Sequence, residues 1–331
     1  MIGISLSKGY RRRLANGLGC VVLACCCGGV LAQTYPVRPI RIVLPYGAGG
    51  NSDIVARVLA QQLGQSLRQQ VIVDNRPGAG GIVATEIARQ AEPDGYTLLW
   101  LNTGHAVSVS LYKSLPYDPV RDFVPVSTVG FSALTLAVNA TSRARSVKDL
   151  IASARASPDK FNIGVTFVGS TNHLAAELFK SMAAIDVPVV PFKTTPALVA
   201  GIGGNEAQAI FEFIPPVLPL VTSGSLRALA VTSDRRSASL PSVPTVAEAG
   251  LPGYESSAWN GVAVPARTPN AVIARLNREI NAIVSIPAVK QRLQELGVDA
   301  RGSTSQSFHE LLVADIAKWR QVIEKAKIPR R

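Results

Sequence analysis

The chain has 331 residues, enough for two domains with buried cores, and its 47% apolar content with turn residues throughout excludes a disordered or collagen-like chain. Its formal charge is +12, but basic residues such as Arg57, Arg89, Arg121 and Lys148 are scattered, and aromatics make up only 6%, which argues against a nucleic-acid surface. All four cysteines (Cys20, Cys25, Cys26, Cys27) fall in the first 32 residues, which excludes disulfides, cysteine-bound metals and thiol nucleophiles from the rest.

The N-terminal stretch reads as an export signal. Lys8, Arg11, Arg12 and Arg13 form a basic start, residues 14–31 an apolar run, and Val30-Leu31-Ala32 a small-residue cleavage pattern, with the cut expected after Ala32. A retained membrane helix is the first alternative; the run is only about 18 residues long and glycine-rich, which disfavours it. Lipid attachment at Cys25 is the second, because Val22-Leu23-Ala24-Cys25 loosely resembles a lipobox. Losing the leader removes four of 34 basic residues and none of 22 acidic ones, leaving +8.

In the mature chain, residues 40–44 form a continuous apolar run, as a buried parallel strand requires. The turn Pro45-Tyr46-Gly47-Ala48-Gly49-Gly50-Asn51-Ser52-Asp53 follows. Ile54, Val55, Val58, Leu59, Leu63 and Leu67 then recur at helical spacing over 52–68. Strand, glycine-rich turn, helix: that order aims backbone N–H groups and a positive helix end at one point. A strand over 71–73, the turn Asn75-Arg76-Pro77-Gly78-Ala79-Gly80-Gly81 and a helix over 81–90 repeat the device. A third strand over 97–101 ends in the polar turn Asn102-Thr103-Gly104-His105. Open parallel sheets bind ligands at that edge.

Residues 123–129 and 133–139 read as two strands, the second carrying the chain away. From about 139 to 250 the alternation restarts: helix 146–156, strand 161–165, and the turn Gly169-Ser170-Thr171-Asn172 into helix 174–183. Strand 187–190, helix 196–202, strand 207–213, helix 216–223 and strand 226–232 follow. After a Pro/Gly-rich stretch come a strand over 258–264 and helices over 269–285, 287–296 and 305–327. The last carries a core stripe of Phe308, Leu312, Ile316, Trp319 and Ile323.

Several chemistries compete. Gly47, Gly49 and Ser52 after a strand, with Asp74 ending the next, mimic a dinucleotide fingerprint and would suit an NAD-dependent Rossmann-type oxidoreductase, but the third glycine is a serine. Hydrolysis lacks a Gly-x-Ser-x-Gly elbow, and Ser170 or Thr171 beside His173 reads as a helix cap. Three scattered histidines give no metal-ligand spacing, and no Walker lysine is present. No catalytic residue, cofactor or metal is assigned, and binding of a small carboxylate by backbone amides remains.

Several motifs resemble the Bug family of periplasmic solute-binding proteins, the extracytoplasmic receptors of tripartite tricarboxylate transporters. They are the turns at 45–53 and 75–81, Pro93-Asp94-Gly95-Tyr96-Thr97-Leu98, Leu115-Pro116-Tyr117-Asp118-Pro119, Leu229-Ala230-Val231-Thr232-Ser233 and Val243-Pro244-Thr245-Val246-Ala247-Glu248-Ala249-Gly250. The resemblance implies an α/β, two-domain, type II-like periplasmic binding protein with a hinge and an interdomain ligand cleft. Residues 33–138 and 252–331 would form one domain and 139–251 the other.

The resemblance further implies that Tyr46, Gly47, Ala48, Gly49, Gly50, Asn51, Asp53, Gly78, Ala79, Gly80, Gly81, Thr103, His105, Phe167, Gly169, Ser170, Thr171 and Glu212 surround the ligand. That ligand would be a di- or tricarboxylate, an acidic amino acid or an aromatic acid. The implied partners are a small carboxylate and the membrane permease of the transporter, with no nucleic acid and no cofactor, the receptor being a periplasmic monomer. An exported sensor without a transporter stays open. Phe211-Glu212-Phe213 stands where the family often has Phe-Asp-Asn, Phe192-Lys193-Thr194 where it has Tyr-Lys-Gly, and Phe167 replaces a small residue. Phe167 and Phe213 facing the cleft would suit an aromatic or partly apolar acid over citrate.

Overall fold

The computed structural model describes Ile2 and residues 35–49, 51–166 and 168–330. Lys8 to Ala32 of the export signal, Gly50, Phe167 and the side chains of Asn51 and Ala79 lie outside the described residues. Arg38–Arg331 form one compact unit.

A run of β-branched and aliphatic residues must be covered on both faces, and Ile40–Leu44 (β1) is: Ile40, Ile42, Val43 and Leu44 have no exposed surface. α1 (Asn51–Leu67) buries Val55, Leu59, Leu63 and Leu67 on one face, at the spacing read from the sequence. β2 (Val71–Asn75), α2 (Ile82–Arg89) and β3 (Thr97–Asn102) follow, and β1 pairs in parallel with both β2 and β3. The expected polar turn after β3 is instead the start of a helix, α3 (Thr103–Leu111), entered directly from the strand with Asn102 extended.

The two strands expected at 123–139 are one, β4 (Phe123–Asn139). Gly130 is no break: a β-carbon there would meet Val298 Cγ1 at 2.5 Å and the Asp299 carbonyl oxygen at 2.6 Å. The glycine admits another backbone against the strand instead of turning it. Bulges near Pro125 and Thr128 take up the local misfit with its neighbour.

Beyond β4 run α4 (Val147–Ala156), β5 (Ile163–Thr166), α5 (Thr171–Ala183), β6 (Val189–Phe192), α6 (Thr195–Gly203), β7 (Ala209–Phe213), α7 (Ile214–Thr222) and β8 (Leu226–Val231). Then come β9 (Ser257–Pro265), α8 (Asn270–Ser285), α9 (Pro287–Glu295), the short β10 (Asp299–Ala300) and α10 (Ser305–Lys325). Ser146, Ser170, Thr194 and Thr304 cap α4, α5, α6 and α10 by accepting from a backbone N–H three residues on.

Among the described residues the strands follow the order β2-β1-β3-β9-β4-β7-β5-β6, with β8 and β10 also on β4. β4 belongs to two half-sheets. Its residues 123–133 pair antiparallel with β9, and residues 134–139 with β7 and β8. The change of partners falls between Ala133 and Leu134. There Leu134 N–H donates to Thr232 Oγ1 at 2.8 Å and Thr232 N–H to the Leu134 carbonyl at 3.0 Å. Ser256 N–H then donates to the Thr232 carbonyl just before β9.

Each half has its own core. Leu136, Phe161, Val165, Phe179, Phe211 and Tyr254 pack in a cluster drawn wholly from residues 134–254. Leu101, Phe123, Trp259, Phe308, Leu312 and Trp319 pack in another, from which Leu174 of α5 is the one fully buried member belonging to the other half.

Candidate functional site

The carboxyl ends of β1 and β3 in one half-sheet and of β5 and β7 in the other face a cavity of about 550 Å³, within the range of small-molecule sites. One wall is Tyr46, Ser52, Asn102, Thr103 and Gly104. The opposite wall is Thr171, Phe213, Pro215 and Pro216, and the floor is Ser132 of β4 with Ala258, Trp259 and Asn260 of β9. Glu295 at the end of α9, with Leu296 and Gly297 in the turn that follows it, shuts one side. The first turns of α1, α3, α5 and α7 therefore all border the cavity, and helix N-termini favour negative charge.

The first wall is built by hydrogen bonds. Asn102 Nδ2 donates to the Tyr46 hydroxyl at 2.6 Å, so Asn102 serves the tyrosine rather than capping α3. Tyr46 keeps 41% of its surface exposed, yet its hydroxyl end is withdrawn from water, and this burial pushes the phenol above its ordinary pKa against the lowering effect of Asn102. Trp259 N–H donates to Thr103 Oγ1 at 2.8 Å, and Trp100 Nε1 to Asn260 Oδ1 at 3.2 Å. The Trp259 indole is held from behind by Asp315, which accepts from its Nε1 at 2.6 Å and pairs with Lys318 at 2.9 Å.

Tyr46, Thr103 and Thr171 line this cavity; several other residues singled out from the sequence do not. Asp53 is 2% exposed and turned inward. Its carboxylate accepts from Gly49 N–H, Arg57 Nε and Asn75 Nδ2, all at 2.9 Å. Burial alone would raise its pKa, but the Arg57, Gly49 and Asn75 hydrogen bonds outweigh it and hold the group at about 2. Asn75 Nδ2 also donates to the Tyr46 carbonyl at 2.9 Å. Asp53 and Asn75 thus set the loop that carries Tyr46, Gly47, Ala48 and Gly49.

His105 is buried behind the first wall. Its Nε2 lies 2.9 Å from the Pro119 carbonyl, and its ring stacks on Tyr117. Burial drives its pKa down to about 4, the Pro119 contact opposing, so the imidazole is neutral near pH 7. Glu212 is 3% exposed and accepts from Asn172 Nδ2 (3.1 Å), Thr195 Oγ1 (3.0 Å) and Phe213 N–H (2.8 Å). Its carboxylate ties the ends of α5, α6 and α7 together.

The glycine-rich turns are partly committed to themselves. Gly49 N–H goes to Asp53, Gly81 N–H to the Gly78 carbonyl at 2.9 Å, and Gly169 N–H to His173 Nδ1 at 2.9 Å. Ser170 accepts from His173 N–H at 3.1 Å, so these neighbours form a cap and not a nucleophile with its base. Gly80 makes room for the Tyr112 hydroxyl. Gly78, Gly80, Gly81, Gly169 and Ser170 stand outside the cavity wall, as do Gly47 and Ala48. Asp74, the acid of the dinucleotide reading, pairs with Arg41 (3.4 Å) and Arg76 (2.9 Å).

Sequence reasoning missed the floor and the closing turn. Ser132 and Ala258 are register partners on adjacent strands, and Glu295–Gly297 lies far away in the chain. No local pattern marks them, whereas Ser52, Asn102, Gly104 and Phe213, also in the wall, had drawn notice in the sequence without being assigned to the site. A second cavity, about 600 Å³, involves Arg235, Lys290 and Arg301 and is crossed by ion pairs of Arg235 with Asp299 and of Arg301 with Asp234. It lacks the convergence of helix N-termini.

Residues 55–328 match the family model described as Tripartite tricarboxylate transporter family receptor (TctC). The protein BugT of Bordetella pertussis is 37% identical over 298 residues, 89% of this chain and 91% of BugT. Rpa4515 of R. palustris, whose structure was solved with adipate, is 33% identical with a TM-score of 0.73, covering 90% of this chain and all of that one. A TctC solute binding protein from Polaromonas is 28% identical with a TM-score of 0.80, covering 88% of this chain and all of that one.

Proposed function

Because this chain belongs to the tripartite tricarboxylate transporter family of receptors, we propose that it captures a small carboxylate outside the cytoplasm and hands it to a membrane permease. One observation carries the reading: four helix first turns, two from each half-sheet, border a single 550 Å³ cavity, with the Tyr46–Asn102 pair and Thr103 in its wall. The similarity to Rpa4515, a structure with adipate, supports a carboxylate as ligand.

The carboxylate oxygens take backbone N–H groups at the starts of α3 and α5 and the hydroxyls of Tyr46, Thr103 and Thr171. Charge-assisted bonds of this kind contribute about 1.5–3 kcal/mol each. Three or four, less the cost of immobilisation, reach micromolar affinity, on the order of −8 kcal/mol. The two halves move about the crossing at Ala133–Leu134 and the return at Thr232–Ser257, closing on the ligand. The leader directs export and is cleaved near Ala32. Among the described residues no helix is long and apolar enough to cross a membrane.

The test is a thermal-shift screen of the purified protein against carboxylic acids, with NAD as control. An acid at a hundred times its Kd adds about 2.7 kcal/mol of stability, a plainly raised midpoint. A shift with NAD and none with any acid would overturn the receptor reading.

A further inference from the structure

The four helix starts are not equivalent. α7 begins Ile214-Pro215-Pro216, so the second and third residues of its first turn have no N–H to offer. The N–H of Phe213, just before it, is already given to Glu212 Oε1 at 2.8 Å. Only Ile214 retains a donor there, and Phe213, Pro215 and Pro216 present carbon to the cavity. Gly297 touches Pro215 and brings Leu296 and Glu295 to the same corner.

The opposite end differs in kind. Tyr46, Asn102, Thr103 and Asn260 lie together there, linked by the Asn102–Tyr46 hydrogen bond and the β3–β9 register of Asn102 with Asn260. The register along β4 sets the order of the floor: Gly130 opposite Asn260, Ser132 opposite Ala258, Leu134 opposite Phe213. Four residues of strand separate the polar end from the apolar one, roughly 13 Å. Among the described residues Glu295 is the sole charged side chain lining the cavity, and it is acidic, paired with Arg292 at 2.9 Å. A second carboxylate reaching that corner would lose water, find no N–H on Pro215 or Pro216 and lie beside a carboxylate already paired with Arg292, leaving Thr171 at the start of α5 as the nearest side-chain donor on that wall.

We propose that the ligand is a monocarboxylate with an apolar body, its carboxylate at the Tyr46–Asn102–Thr103 end and its body against Phe213, Pro215, Pro216 and Leu296. The proposal rests on the receptor reading and departs from a dicarboxylate such as the adipate found with Rpa4515. An apolar body gains by leaving water against those side chains, whereas the shortage of N–H groups penalises a second charged end.

Hexanoate and adipate test it as a matched pair: equal carbon number, differing in one terminal carboxylate. Trp259 in the floor supplies a fluorescence signal, and thermal shift a second. Hexanoate should bind the full protein at least tenfold more tightly than adipate, with phenylacetate and benzoate on the hexanoate side and malate on the other. Phe213→Ala should weaken hexanoate about tenfold and leave adipate within twofold. Pro216→Ala, which restores an N–H, should narrow the gap from the adipate side. Adipate binding as tightly as hexanoate, or tighter, overturns the proposal while leaving the receptor reading intact. A protein that binds no acid of either kind overturns both.

Discussion

Pro215 and Gly297 meet so closely that a β-carbon built on Gly297 would lie 2.2 Å from Pro215 Cγ. Pro215 stands at the start of α7 in one half, and Gly297 in the turn after α9 in the other, with φ of +73°. The contact closes one side of the cavity. Gly297→Ala adds left-handed strain of about 1–2 kcal/mol and pushes the proline away. The expected result is a lowered thermal midpoint together with at least tenfold weaker carboxylate binding. An unchanged affinity in calorimetry would show that this contact does not control the cavity.

Asp53 holds the Tyr46 loop through Gly49, Arg57 and Asn75. Asp53→Asn keeps the shape but loses the charge and one acceptor, so it should destabilise the protein by about 1–2 kcal/mol and weaken ligand binding without removing any wall residue. Denaturant midpoints and titrations on the same variant separate the two effects. Since folding lowers this pKa to about 2 from 3.8, the stability it supplies is complete above about pH 4 and is lost as pH falls through 2.

His105 titrates in a different window. Its pKa is about 4 in the folded protein against 6.5 ordinarily, so the unfolded chain binds the extra proton between those values. The stability its neutral form supplies is present above pH 6.5 and falls away as pH drops to 4, a loss of about 3 kcal/mol. Urea midpoints at pH 7, 6, 5 and 4.5 measure the slope, and His105→Gln should flatten it. A variant with the same slope would place the pH dependence elsewhere.

Thr232 joins the chain at the crossing between half-sheets. Thr232→Val leaves the buried Leu134 N–H without its 2.8 Å acceptor, an expected loss of about 1–3 kcal/mol in equilibrium unfolding. If the crossing also serves as the hinge, small-angle scattering of the variant should show a smaller ligand-induced contraction. A Thr232→Val protein as stable as the parent would mean that a water or a backbone shift satisfies Leu134.

Much of this molecule was readable along the chain because the information is local. The apolar period of α1, the continuous run of β1 and the cap at Ser170 depend on neighbours a few residues away, so the α/β alternation and nearly every element stand where pattern placed them. Of the turns read as a ligand edge, those after β1, β3 and β5 bring Tyr46, Thr103 and Thr171 to the cavity, while Gly78, Gly80 and Gly81 after β2 stand outside its wall. The same logic split residues 123–139 into two strands although they form one, in which Gly130 marks a close approach by Val298 and Asp299 from the end of the chain.

By itself the sequence determined the family, the elements and the sheet edge that borders the cavity, since each follows from periodicity and short motifs. Tertiary structure alone decided which polar groups remain available there. Asp53, His105 and Glu212 looked like contacts in one dimension, but folding spends their hydrogen bonds on Gly49, Pro119 and Asn172, because a buried polar group must find a partner within the protein. Folding also assembled the floor and the Pro215–Gly297 wall from residues up to 165 positions apart, from Ser132 to Gly297. Their adjacency comes from strand register and side-chain packing across the two halves, which no stretch of sequence carries.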